Sequence, residues 1–230
     1  MNIYAFICTR SKDITSITTK LLSFYTSIGI KVQLLVNTSS IFKAYSNAFE
    51  KINPSDEDII IFCHDDIEIT QKGPEFLKNL KDSLQDEQTC FVGPAGTTFL
   101  GKDAVWWNWD NQKLGYHKGL VVHLDKEKRP YPTFYGPFGK VAVLDGLFLA
   151  AKAKNIRKIS LKKPDMFEGL WDFYDIYYTT SALKAGMDNK AIPITMIHHS
   201  NGELVGRDSW HKNRQAFINN NELPIIVKED

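Results

Sequence analysis

The sequence predicts a single α/β domain built on a largely parallel sheet, and three observations predict it. Over the first hundred residues short apolar runs alternate with helical patterns, the mark of repeated βαβ units. At 230 residues the chain is long enough for one sizeable core and too short for two typical domains with a linker. Its 43% hydrophobic and 24% charged residues match ordinary globular usage, with no tract that argues for disorder.

The first strand is read at residues 2–8 (NIYAFIC). A helix follows, with Ile14, Ile17, Leu21, Leu22 and Ile28 at helical spacing and Gly29 at its stop. Residues 31–36 make a second strand and residues 40–51 a second helix, halted by Asn53 and Pro54. The third strand, 58–63 (DIIIFC), is continuously apolar, which predicts burial on both faces. Gly73 and Pro74 open a helix that runs to about Leu84, and residues 89–93 give a fourth strand. After Gly96 the sequence turns irregular and rich in Trp, Gly and Pro, with a short strand at 120–124. A long strand at 141–151, a helix at about 170–185 ended by Gly186, and a last strand at 191–199 complete the reading. LDKEKR (124–129) reads as a solvated turn, and the residues after Arg207 as an amphipathic tail that covers the body.

Lysine and arginine (28) nearly balance aspartate and glutamate (27), so no positive field favours a nucleic-acid partner. The N-terminal run MNIYAFICTRSKD lacks the basic start, long apolar stretch and cleavage site of a signal peptide, and no run approaches membrane-spanning length. Cys8, Cys63 and Cys90 are odd in number, widely spaced and each set in a strand-like run. They are expected to be buried thiols of a reducing compartment, which points to a cytoplasmic location.

The most informative segment is DIIIFCHDDIEI (58–69), where a buried strand runs directly into His64, Asp65 and Asp66. Ligands of an open parallel sheet bind beyond the carboxyl ends of its strands. Adjacent carboxylates repel and are costly to desolvate unless a cation compensates, so a divalent metal shared with substrate phosphates is one reading. A solvated turn with a helix-capping aspartate is the other. Asp145 is a lone acid inside a strongly apolar run, which favours a site. The tryptophans of AVWWNWD (104–110) offer flat faces for a sugar ring or simply anchor a long loop.

Further motifs keep a fixed order along the chain. Thr9, Arg10 and Ser11 follow the first strand, and Asn47 lies in SIFKAYSNAFEK. VGPAG (92–96) precedes Trp106 and Trp107, VLDGLFLAAK (143–152) carries Asp145 and Gly146, FEGLWDFYDIYYTTSALKAG (167–186) carries Glu168, Trp171, Tyr174 and Asp175, and PITMIHHSNG (193–202) carries His198 and His199. In this order they resemble the glycosyltransferases of GT-A fold, and among them the family-two-like enzymes, with His64-Asp65-Asp66 where those proteins hold an acidic DxD-type motif.

That resemblance implies one GT-A domain over 1–230, with a Rossmann-like N-terminal half and a mixed central sheet. Residues 1–100 would bind the nucleotide, 101–205 form the acceptor side and 206–230 the tail. It implies transfer, with inversion, from a nucleotide-diphosphate sugar to a hydroxyl of a glycan or lipid-linked acceptor in surface glycan synthesis, assisted by Mn2+ or Mg2+. Asp66, His64, His198 and His199 are the candidate metal ligands, and only one of the two adjacent histidines can face the crevice. Thr9, Arg10, Asn47, Asp65 and Asp66 are candidates for the nucleotide, and Gly96, Trp106, Trp107, Gly146, Trp171 and Glu168 for the sugar and acceptor. Asp175, with Asp145, is the candidate catalytic acid pair. Asp175 also suits a plain helix N-terminal acid, and Asp172 and Glu168 are its rivals as base. Two other readings fit the pattern: a nucleotidyltransferase, although CTRSKD lacks the glycine of a phosphate loop, and a degenerate domain that binds carbohydrate or a partner through its tryptophan-rich loop.

Overall fold

The computed structural model describes residues 1–108, 110, 113–200 and 207–228. β1 (Ile3–Cys8), β2 (Lys31–Leu35) and β3 (Ile59–His64) are parallel neighbours, with β1 in the middle. They are joined by α1 (Ser16–Ser27) and α2 (Ile41–Ile52), whose starts are fixed by Thr15 and Ser40. Each of those side chains accepts a hydrogen bond from a backbone N–H in the first turn, from Thr18 and Lys43 respectively. After β4 (Ile67–Ile69) comes α3 (Gly73–Ser83), opened by Pro74 as expected, and then β5 (Thr89–Gly93).

The large sheet also takes in β10 (Gly139–Val141), β12 (Phe148–Lys152) and β13 (Asp188–Ala191), in the order β10-β13-β5-β12-β3-β1-β2. β12 lies antiparallel between β3 and β5, and β10 is antiparallel to β13, so the sheet is mixed, as the resemblance implied, and the parallel pairing read over the first hundred residues is confined to β3-β1-β2 and to β13-β5. The alternation along the central strands feeds two cores. Ile60 and Phe62 of β3 pack with α2 and α5 (Tyr174–Lys184), whereas Ile59, Ile61 and Cys63 pack with α1 and α3. Cys8, Cys63 and Cys90 are buried free thiols.

A second sheet stands across the carboxyl end of the first. It contains β6 (Ala95–Thr97), β8 (His117–Leu124), β11 (Val143–Leu144) and β14 (Met196–His198), together with β4, and β9 (Pro130–Gly136) pairs with β8 through a turn at 125–129. Two long strands read from the sequence are divided between the sheets. The apolar run 141–151 is cut where Asp145 turns the chain: the Asp145 side chain accepts from the Leu147 backbone N–H at 3.1 Å. The run 191–199 is cut at Pro193, which has no N–H for a ladder, so β13 and β14 join different sheets. The expected start of α5 at about residue 170 moves to Tyr174, because Phe173 adopts a left-handed backbone with φ 67°.

Following the short α4 (Ala153–Ile156), the last helix is α6 (Asp208–Asn219), and β15 (Ile225–Ile226) pairs with β7 (Phe99–Leu100). Among the described residues no helix is long and apolar enough to cross a membrane.

Gly96 belongs to this framework. A side chain there would stand 2.1 Å from the Val143 carbonyl oxygen, so the missing Cβ allows β6 and β11 to approach. Gly96→Ala is expected to lower the unfolding free energy by about 1–3 kcal/mol. Urea denaturation checks this, and an unchanged midpoint with an unchanged slope would refute the close approach.

Candidate functional site

Because β1 and β3 are parallel neighbours, their carboxyl ends open on the same edge, where ligands of open α/β sheets bind. Thr9 and Arg10 leave β1, and His64, Asp65 and Asp66 end or follow β3, to form one wall of a cavity of about 460 Å³. Residues 171–176 form the facing wall, and Trp107, Arg207 and Trp210 contribute from other segments. Arg10 stacks over the Trp171 ring at 4.3 Å from its centroid.

The local chain explains these placements. Thr9 Oγ1 accepts from the Ser11 N–H at 3.0 Å, which curls the loop after β1. Thr18 on α1 donates to the Asp65 carbonyl at 3.2 Å and tethers the loop after β3. On the far wall, left-handed geometry at Phe173 costs about 1–3 kcal/mol for a bulky residue. Its ring is buried against Phe167, Trp210 and Phe217, which hold it there. The consequence is a sharp entry into α5 that turns Tyr174 and Asp175 towards Gly146.

At the end of β3, His64 Nδ1 and His198 Nε2 lie 3.7 and 3.6 Å from the same atom, Asp66 Oδ1. Both distances exceed a hydrogen bond. Among the described residues Asp66 Oδ1 and His198 Nε2 are buried with no hydrogen-bond partner, an arrangement that is costly unless another species satisfies them. One ligand atom from each of the three residues falls within 4.8 Å of the others. Two imidazoles and a carboxylate fit a divalent transition metal. Burial alone would raise the Asp66 carboxyl, but contact with His198 and the nearby His64 ring outweighs it and holds it down to about 2. Burial likewise works against protonated His198, yet Asp66 raises that imidazole above its usual value. At His64 burial prevails and the value falls, which favours a neutral ring able to donate a lone pair.

His199 faces the other side of β14. Its Nε2 lies 3.2 Å from Glu68 Oε2, and Glu68 in turn pairs with Lys20 at 3.1 Å. Only its backbone reaches the site, donating to the Asp66 carbonyl at 2.8 Å.

Two acids sit beside Gly146. Asp175 Oδ2 accepts from the Gly146 N–H at 3.2 Å, while Asp145 is occupied with its own turn. Burial, reinforced by the negative charge of Asp145, raises the Asp175 carboxyl to about 7. Asp172 also lines the cavity. Burial raises its carboxyl, and it accepts from Ser209 Oγ at 2.7 Å.

Other expected residues stand elsewhere. Asn47 is exposed on α2 beside a separate shallow pocket with Gln33 and Lys51. Glu168 is exposed and pairs with Lys212 at 2.8 Å. Trp106 is buried behind the cavity, where its carbonyl meets His117 Nε2 at 2.6 Å, so of the adjacent pair only Trp107 lines the cavity. Gly96 is enclosed between strands. Trp109 and Gly202 lie outside the described residues. Conversely, Arg207 and Trp210 come from the tail, read from sequence as mere cover. The available signal was a lone tryptophan ahead of the polar stretch HKNRQ in the helix DSWHKNRQAFIN.

A mixed sheet with a polar cluster at the end of a buried parallel strand makes this an α/β protein with a strand-end site, the architecture that the resemblance to GT-A proteins implied. The sequence matches the Glycosyltransferase like family over residues 8–220, and the chain belongs to that family. Among solved structures it is similar to that described as "Crystal structure of GalNAc-T7 with UDP, GalNAc and Mn2+", at 12% identity and a TM-score of 0.52, covering 92% of this chain and 47% of that one. This chain thus spans about half the length of that protein. It also aligns with "A197 from STIV" at 15% identity and a TM-score of 0.46, covering 87% of this chain and 83% of that one. No curated protein matches the sequence.

The opposite facing of the two adjacent histidines has a measurable consequence. If the cluster takes a divalent cation, with Mn2+ as the probe, His198→Ala is expected to abolish its binding, whereas His199→Ala should leave it nearly unchanged, as read by water-proton relaxation. Equal effects of the two substitutions would place the ion elsewhere.

Proposed function

We propose that the chain transfers a sugar from a nucleotide-diphosphate donor to an acceptor hydroxyl, with inversion, using a divalent cation held by His64, Asp66 and His198. The observation that carries this reading is the convergence of two buried atoms without a hydrogen-bond partner among the described residues, Asp66 Oδ1 and His198 Nε2, beside a cavity that also holds Asp175. Family membership supports the class of reaction. The metal-bearing neighbour supports it only as an analogy of fold.

When bound, the cation supplies Lewis-acid stabilisation of the charge that develops on the departing diphosphate. Thr9 and Arg10, at the end of β1, face the donor from the same wall, and Arg10 brings a permanent positive charge. Asp65 stands with them on that wall. Trp107 and Trp171 give the cavity flat apolar faces against which a sugar or base can pack. Asp175 takes the acceptor proton: the Gly146 N–H orients its Oδ2, and a carboxyl raised to about 7 is a far better base than an ordinary aspartate. Asp145 acts on Asp175 through its charge. The acceptor we assign is a hydroxyl of a glycan or lipid-linked saccharide, and the proposed setting is surface glycan synthesis in the cytoplasm.

A transition metal is expected to serve better than Mg2+, which favours oxygen ligands and retains its waters. Calorimetry with uridine, guanosine and thymidine diphosphates should therefore show binding that requires Mn2+ and is lost in Asp66→Ala, with the fold intact. Nucleotide affinity that is the same with and without Mn2+ would sink the metal-dependent reading.

The base assignment predicts a pH profile. Asp175 works only when ionised, so kcat/KM should rise with pH through a limb near 7, the value to which burial and Asp145 raise it. Asp145→Asn removes a neighbouring negative charge, eases ionisation of Asp175 and should move that limb to lower pH. Asp175→Asn should reduce kcat by about 100-fold or more while donor binding persists. Near-normal transfer by Asp175→Asn would reassign the base, and retention of anomeric configuration in the product would exclude inversion.

A further inference from the structure

Tyr174 occupies a position that the transfer step itself does not require. Its hydroxyl lies 2.5 Å from the Gly146 carbonyl oxygen and 2.9 Å from His64 Nε2. A carbonyl oxygen can only accept, and two oxygens at that separation repel unless a proton lies between them. The single phenolic proton is therefore committed to Gly146. Tyr174 then meets His64 with a lone pair, and the proton of that second contact resides on Nε2. A neutral imidazole carries one N–H, so Nδ1 keeps its lone pair. Nδ1 is the ring atom that points to Asp66 Oδ1, at 3.7 Å.

The surroundings leave the hydroxyl little choice of position. The Tyr174 ring is buried at 4% exposure and meets Phe42, Tyr45 and Tyr178 edge-on. A Cβ on Gly146 would stand 2.4 Å from the Tyr174 oxygen, so this contact needs glycine at 146. Gly146, Tyr174 and His64 thus form one hydrogen-bonded line ending at the cluster of His64, Asp66 and His198.

We propose that Tyr174 is a positioning residue that locks His64 as the Nε2–H tautomer and so presents the Nδ1 lone pair to a divalent transition metal shared with Asp66 and His198. The assignment rests on the metal reading above for its purpose, and on the hydrogen bonds alone for the proton. Partners of this kind raise the affinity of a histidine site because the ring is held ready with the correct nitrogen free.

The test uses the full chain, metal-free, with 15N-labelled histidine at pH 8, above the ordinary histidine range. Long-range 1H–15N spectra report which ring nitrogen carries the proton, and His64→Asn identifies the His64 signals. The parent should show His64 protonated at Nε2. Tyr174→Phe retains the packed ring, removes the acceptor, and should shift His64 towards the Nδ1–H form while weakening Mn2+ binding about 10- to 100-fold. Gly146→Ala, which displaces the hydroxyl without removing it, should act in the same direction. An Nδ1–H parent, or a Tyr174→Phe chain that matches the parent in tautomer or in Mn2+ affinity, overturns the assignment. A parent that shows the Nε2–H form but binds no Mn2+ refutes the metal reading alone and leaves the proton assignment standing.

Discussion

The turn at residues 145–147 is the constraint on which the rest of the site depends. Leu144, before it, is a strand residue of the second sheet, and Phe148, after it, is inserted antiparallel in the first. The same few residues hold two segments that are distant in sequence, the end of β3 and the first turn of α5. The Leu147 carbonyl accepts from the His64 N–H at 3.1 Å, the Gly146 N–H reaches Asp175, and the Gly146 carbonyl accepts from Tyr174. Without a side chain at 146, α5 can pack its first turn directly on this bend. Both the candidate base and the candidate metal cluster therefore take their positions from one backbone bend.

Much of the fold was legible because its signals are local. The run DIIIFC needs no partner information to read as a buried strand, and Ser40 or Pro74 marks a helix start by its own chemistry. What the sequence concealed is the allocation of strands to sheets. Residues 141–151 are apolar almost throughout, and periodicity cannot reveal that Asp145 bends the chain so that its two ends enter different sheets. Similarly, nothing local distinguishes a tail that merely covers the body from one whose Arg207 and Trp210 line a cavity. The candidate site was legible where chemistry and strand ends coincide, at His64, Asp66 and His198, and illegible where a residue depends on how its own helix or loop is turned. Asn47 and Glu168 fit their motifs, yet each points away from the cavity.

Burial explains why the two halves of the cavity differ in charge behaviour. Asp66 and His198 compensate one another, so desolvation is overcome and the carboxylate stays ionised. Among the described residues no cationic group pairs with Asp175, and the neighbouring Asp145 adds repulsion to the desolvation cost. Two carboxylates that line one cavity thus acquire opposite tendencies from their surroundings: one is held as an anion able to meet a cation, the other is poised to exchange a proton near neutral pH.

Strain and packing complete the arrangement. A left-handed phenylalanine is unfavourable in isolation, and Phe173 is retained in that conformation because Trp210 and Phe217 of α6 close over its ring. The last helix is therefore more than a cover. By holding Phe173 it fixes where α5 begins, and the start of α5 decides whether Tyr174 reaches Gly146 and His64. Trp210 also touches Trp107, the tryptophan of the loop that enters the cavity, with ring centroids 5.8 Å apart. The tail thus supports both the wall that carries the acids and the loop that faces them, which ties residues read as peripheral to the geometry of the proposed chemistry.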